Sequence, residues 1–159
     1  MSKETLVIKM IHDAWKMQIG RANKLINELS DEQLLGEVAP GRNTGLYLLG
    51  HLVAVHDAMM PLLGLGDLKY PNLDIIFLKN PDKSGLQKPS ASEIRKAWTD
   101  VNEVLSAAIS KLSEEQWFQR HTSVSPEDFE KEPHRNRLNI LISRTNHLAY
   151  HIGQLIFLK

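Results

Sequence analysis

Apolar positions recur at three- and four-residue spacing in four separate stretches of this chain, and each stretch reads as a helix with a buried face. The first runs from about Thr5 to Leu29, with Ile8, Ile11, Trp15, Ile19, Ala22, Ile26 and Leu29 along one seam. The second, Leu46 to Met60, is apolar almost all round, as in a helix buried on several sides; Asn43 or Thr44 caps it, and Pro61 to Gly64 ends it. In the third, Ser90 and Glu93 form a capping box ahead of a core face made by Ile94, Ala97, Trp98, Val101, Val104, Leu105, Ala108 and Leu112. In the last, Leu138, Leu141, Ile142, Thr145, Leu148, Ala149, Ile152, Leu155 and Ile156 keep the helical period.

Between these helices the pattern breaks. Ser30 and Gln33 can box a short helical turn before the Pro40-Gly41 loop. From Gly64 to about Pro89, only Leu73 to Phe77 shows any period. A connection of that length is a lid, a binding loop or a crossover, and it frees the third helix from lying antiparallel beside the second. A second loop, about Arg120 to Arg135, leads into the last helix. The segment Leu112-Ser113-Glu114-Glu115-Gln116 echoes Leu29-Ser30-Asp31-Glu32-Gln33. Each copy precedes a helix carrying Gly50-His51-Leu52 or Asn146-His147-Leu148, which suggests two related helix–loop–helix units. The expectation is one all-α domain over residues 1–159, a four-helix bundle with a long connection between its second and third helices.

Composition narrows the chemistry. Lysine plus arginine equals aspartate plus glutamate at 19 each, with the signs interspersed, so no basic face suited to nucleic acid is expected. There is no cysteine, which excludes disulfides, a thiolate supplied by the protein and cysteine-ligated zinc. The N-terminal stretch lacks the features of a signal peptide, and no apolar run nears the ~18 residues of a membrane span. A cytoplasmic protein without membrane association is expected.

The histidines carry the remaining signal. His147 and His151 stand four apart, one turn above the other on the last helix, with Cβ atoms ~6 Å apart, and can share a metal ion. They also sit beside the apolar arc, and on the pair alone two partly exposed histidines flanking a core stripe is the more common arrangement. His51 lies in an otherwise apolar helix and must find a hydrogen bond or a metal, because an unpaired buried polar group costs about 1–3 kcal/mol. Three imidazoles from facing helices would leave one coordination position open, as in catalytic sites. His56 faces elsewhere on its helix, and with His12, His121 and His134 it is read as a core or surface histidine. Leu148 stands where a zinc-protease helix carries its glutamate base, and no paired Glu-x-x-His motifs, phosphate loop or serine elbow are present.

These residues resemble the DinB/YfiT-like family. The likeness rests on Leu49-Gly50-His51-Leu52, on Asn146-His147-Leu148-Ala149-Tyr150-His151-Ile152-Gly153-Gln154, and on four helices with a long second-to-third connection. The resemblance implies a four-helix bundle with a divalent metal held by His51, His147 and His151. It also implies a range of activities: metal-dependent S-transferases using low-molecular-weight thiols such as bacillithiol or mycothiol, and some isomerases and hydrolases. Three imidazoles suit zinc, nickel, iron, cobalt or manganese.

A metal ion would favour a thiol as thiolate, and Arg144 and Arg42 are candidate partners for carboxylates on that thiol, their alternative being ordinary solvated charges. Gln154, more than Tyr150, is placed to orient a ligand or substrate. A non-catalytic metal- or ligand-binding bundle is the alternative class, and a metal-dependent hydrolase is a lesser variant because no carboxylate base stands beside the histidines. A homodimer is expected, and the apolar Leu155–Leu158 terminus, with Phe157 and Leu158 outside the main seam, offers a contact for it.

Overall fold

The computed structural model describes residues 2–159, which are helical apart from turns, loops and two isolated β-bridges. The long first helix α1 (Lys3–Glu28) starts at Ser2, whose hydroxyl accepts the Thr5 amide. The boxed turn becomes α2 (Asp31–Leu35), with both reciprocal Ser30–Gln33 bonds formed and Leu34 fully buried. Thr44 caps α3 (Gly45–Asp57) by accepting the Tyr47 amide. The apolar run beyond it is broken at Ala58 and continues as a separate turn, α4 (Met59–Leu62), so the second helix ends earlier than its hydropathy predicts.

The long connection is folded. Its periodic fragment forms α5 (Pro71–Phe77), which packs on α3. Asp57, buried at the end of α3, accepts the Lys69 and Tyr70 amides at 2.9 and 2.7 Å. The Tyr47 hydroxyl donates to Asn80 O at 2.7 Å, and Asp82 accepts the Thr44 amide at 2.6 Å while pairing with Lys88. Fastened at both ends of α3, this segment is a clamped crossover.

Behind its Ser90–Glu93 box comes α6 (Ala91–Ile109), followed by α7 (Glu114–Trp117), α8 (Pro126–Lys131) within the second loop, and α9 (Arg137–Leu155). A 3-10 turn, Ile156–Leu158, ends the chain. One core spans the long helices: α3 packs on α6 and α9, and α1 on α9. Trp98 Nε1 ties α6 to α1 through Asn23 Oδ1, and Arg95 reaches the carbonyls of Ile26 and Leu29. Val104, Ile142 and Ile156, read from the period as core positions, are exposed, because each lies at the edge of its arc where no neighbouring helix covers it. Leu158 departs the other way: it packs on the core, against Gly45, and its carbonyl accepts from Gln33.

The sequence echo has a structural counterpart. Glu37 bridges Thr44 just before α3, and Arg120 bridges Asn136 just before α9. Thr44 and Asn136 are also the N-caps of those two helices. No helix among the described residues is long and apolar enough to cross a membrane.

Candidate metal centre

Every residue of α3 is buried except His51, which is half-buried and reaches the edge of the core beside α9. There His147 and His151 project from consecutive turns, both half-buried. The Nε2 atom of His147 lies 3.1 Å from that of His51 and 3.0 Å from that of His151. One ligand atom from each of the three residues falls within 4.8 Å of the others, a cluster that could hold a metal ion.

The far side of two of these rings tests whether a cation fits. His51 Nδ1 donates to the Phe77 carbonyl at 3.0 Å, since a carbonyl can only accept. His151 Nδ1 donates to Gln154 Oε1 at 2.7 Å. Both rings therefore turn a bare Nε2 lone pair toward His147. A single proton on His147 Nε2 cannot serve both lone pairs with good geometry. A cation satisfies all three, and nitrogen ligands at metal–nitrogen distances of about 2.0–2.1 Å stand about 3 Å apart, close to the His147–His51 and His147–His151 separations. The donor set fits a divalent ion of the kind that accepts imidazole.

Electrostatics keeps the two α9 rings in the ligating form. Burial, reinforced by the charges of His151, His51, Arg144 and His56, pushes His147 down to about 3. Burial also lowers His151, with His51 adding to the effect against the opposing Gln154 hydrogen bond. Among the described residues no carboxylate joins the cluster.

The other candidates separate. Gln154 holds His151 and, with Arg42, lines a small pocket between the Pro40–Asn43 loop and α9. Arg144, in contrast, is half-buried on α9 with its Nε enclosed and unbonded, so the simple reading of it as a solvated surface charge does not hold. Burial lowers its affinity for the proton. Tyr150 is largely exposed, yet its ring meets His151 edge-on at 5.1 Å and its hydroxyl accepts a long bond from Gln154.

His56 is a core histidine. It is fully buried between Trp15 and Trp98, donates Nδ1–H to Asn102 at 2.8 Å, and is pushed down to about 4 chiefly by desolvation. His12 packs edge-on against Trp117, His121 is partly buried and His134 is exposed. None of these four joins the cluster.

Two contributors escape a sequence reading. Phe77, from the crossover, supplies the carbonyl that orients His51. Gly50 lets it do so: a Cβ on Gly50 would overlap the Phe77 ring, which lies across α3 at that point. The Gly-His-Leu spelling is the one signal that could have pointed there, because a glycine inside a helix invites a close packing partner.

None of the curated proteins matches this chain. The family model of the DinB superfamily matches residues 14–155. That span takes in the second half of α1 and the whole of α3, α6 and α9, and includes each of the three clustered histidines. On that match the chain belongs to the DinB superfamily.

Proposed function

We propose that this protein is a divalent-metal-dependent S-transferase, a four-helix bundle in which His51, His147 and His151 hold the ion and a low-molecular-weight thiol is the nucleophile. The observation that carries the reading is the convergence of three imidazole nitrogens with no carboxylate among them. Three protein ligands leave a position open for substrate. When bound, the ion would supply Lewis acidity that favours loss of the thiol proton near neutral pH.

The chain's own residues do the rest. Phe77 O and Gln154 fix the ring orientation of His51 and His151, so their Nε2 lone pairs are aimed before anything binds. With no cysteine in the chain, the sulfur must come from the substrate. In the transfer the S–H bond breaks and its proton passes to solvent. An S–C bond then forms as the electrophile's leaving group departs with its electron pair. Hydrolysis would ask for a general base, and the cluster has no carboxylate to act as one.

A second feature bears on assembly. Phe157 is 78% exposed and Ile156 50%, so this end of the chain presents an apolar surface, and we propose that it joins two copies in a homodimer. If the protein has no turnover, the same site serves as a metal- or ligand-binding module.

Elemental analysis of the untagged protein tests the reading. We expect about one zinc, nickel, iron, cobalt or manganese ion per chain, and none in His147→Ala. The loaded protein is then assayed for conjugation of simple thiols to a fluorogenic alkylating agent. Metal without any conjugation would move the reading to the binding module, and no metal in the native protein would overturn the transferase reading and leave only a metal-free ligand-binding bundle.

A further inference from the structure

We infer that the small pocket beside the histidine cluster is a carboxylate subsite anchored by Arg42. The inference rests on the transferase reading and deepens it: the molecule that occupies the site is a small carboxylate-bearing thiol. The pocket has a volume of about 220 Å³ and is lined by Val38, Gly41, Arg42, Asn43, Leu48 and Gln154. It is linked to the cluster through Gln154, which lines it and holds the Nδ1 of His151, and Leu48 of its lining lies one turn before His51 on α3. Whole-ligand sites usually span ~300–1,000 Å³, so this volume suits one end of a molecule whose other end lies at the histidines.

The lining selects the charge of that end. Arg42 is the one charged residue in it, and no ion pair engages its guanidinium among the described residues. Two carboxylates in this corner are occupied. Glu37 accepts the Gly41 amide at 2.7 Å and pairs with Lys83 at 2.9 Å, and Asp82 is held by Lys88 and the Thr44 amide. Gln154 commits its Oε1 to His151, which leaves its Nε2 donor with only a 3.4 Å bond to the Tyr150 hydroxyl. A guanidinium fork and an amide N–H are donors only, and a planar carboxylate, whose two oxygens match the fork, can accept from both. Arg144, the other candidate, does not line this pocket.

The test uses the zinc-loaded protein, the metal-free protein and three probes: 3-mercaptopropionate, 2-mercaptoethanol and the sulfur-free succinate. We expect 3-mercaptopropionate to bind about tenfold more tightly than 2-mercaptoethanol, the effect of one charge-assisted contact. In Arg42→Ala that ratio should fall to near one with metal content unchanged, and Arg42→Lys should recover only part of it, since lysine lacks the fork. Succinate should shift the NMR signals of the Gln154 side-chain amide in the native protein, with or without zinc, but not in Arg42→Ala. An unchanged ratio in Arg42→Ala, or a Gln154 amide unmoved by succinate, would overturn the subsite. If neither thiol binds while succinate still moves Gln154, the transferase reading fails and the subsite stands.

Discussion

The two halves of the molecule are built on one frame and load it differently. Each has a long helix, a serine-boxed short helix, a single β-bridge and then a histidine-bearing helix. His51 and His147 stand 96 residues apart, and that offset sets Gly50 against Asn146, Val55 against His151 and His56 against Ile152. In the first half the crossover and α6 cover α3, so everything but His51 is sealed, and a glycine is needed where Phe77 crosses. In the second half α9 keeps an open edge, and two consecutive turns can present imidazoles there. The same helix frame thus gives one ligand where it is enclosed and two where it is not. Burial, more than local sequence, decides how many polar groups a helix can present.

Acid should expose this contrast most strongly. His56, sealed in α3, is pushed down to about 4 in the fold, while an unfolded histidine titrates near 6.5. Above pH 6.5 both states are neutral and stability is complete. As pH falls toward 4, the unfolded chain takes up a proton that the fold refuses, so stability drops, by about 3 kcal/mol at pH 4 from this group. His147 and His151 act in the same direction. Denaturant titrations of the metal-free protein at pH 7 and pH 4.5 measure the loss. His56→Leu, which matches the apolar residue of the second half, should reduce it; an identical loss in the variant would contradict the burial argument.

Next in size is the glycine. Gly50→Ala forces the Phe77 ring to move, at a cost of about 1–3 kcal/mol that exceeds the gain in helix propensity of about 1 kcal/mol. Because Phe77 O orients His51, the same variant should weaken metal binding. Asn146→Ala, at the exposed equivalent position, should stay within ~0.5 kcal/mol of the native protein. Equal effects of the two substitutions on stability and metal affinity would erase the proposed difference between the halves.

The caps should show where the halves are alike. Ser30→Ala and Ser113→Ala each remove one boxed hydroxyl, and each should cost about 1 kcal/mol. A clear disparity between them would show that the repeated sequence does not carry a repeated mechanical role.

Much of this was legible along the chain because its causes are local. Helical period follows from 3.6 residues per turn, and the Ser30, Ser90 and Ser113 boxes form within four residues. The His147–His151 pair faces one way for the same reason. The legible part stops at packing. Period alone placed Val104 and Ile142 inside, because the width of a buried arc depends on neighbours that a single helix cannot specify.

By itself, then, the sequence determined the four long helices, the serine boxes, the absence of any protein thiol and the histidine pair, while α8 lay in what read as loop. Tertiary structure alone decided that α3 is sealed around His51 and that Phe77, 26 residues away, turns that ring toward α9. It also decided that Arg42 and Gln154, from distant parts of the chain, line one pocket. The physical reason is range. Backbone geometry and capping act over a turn or two, whereas aiming three lone pairs at one point depends on how separate helices pack.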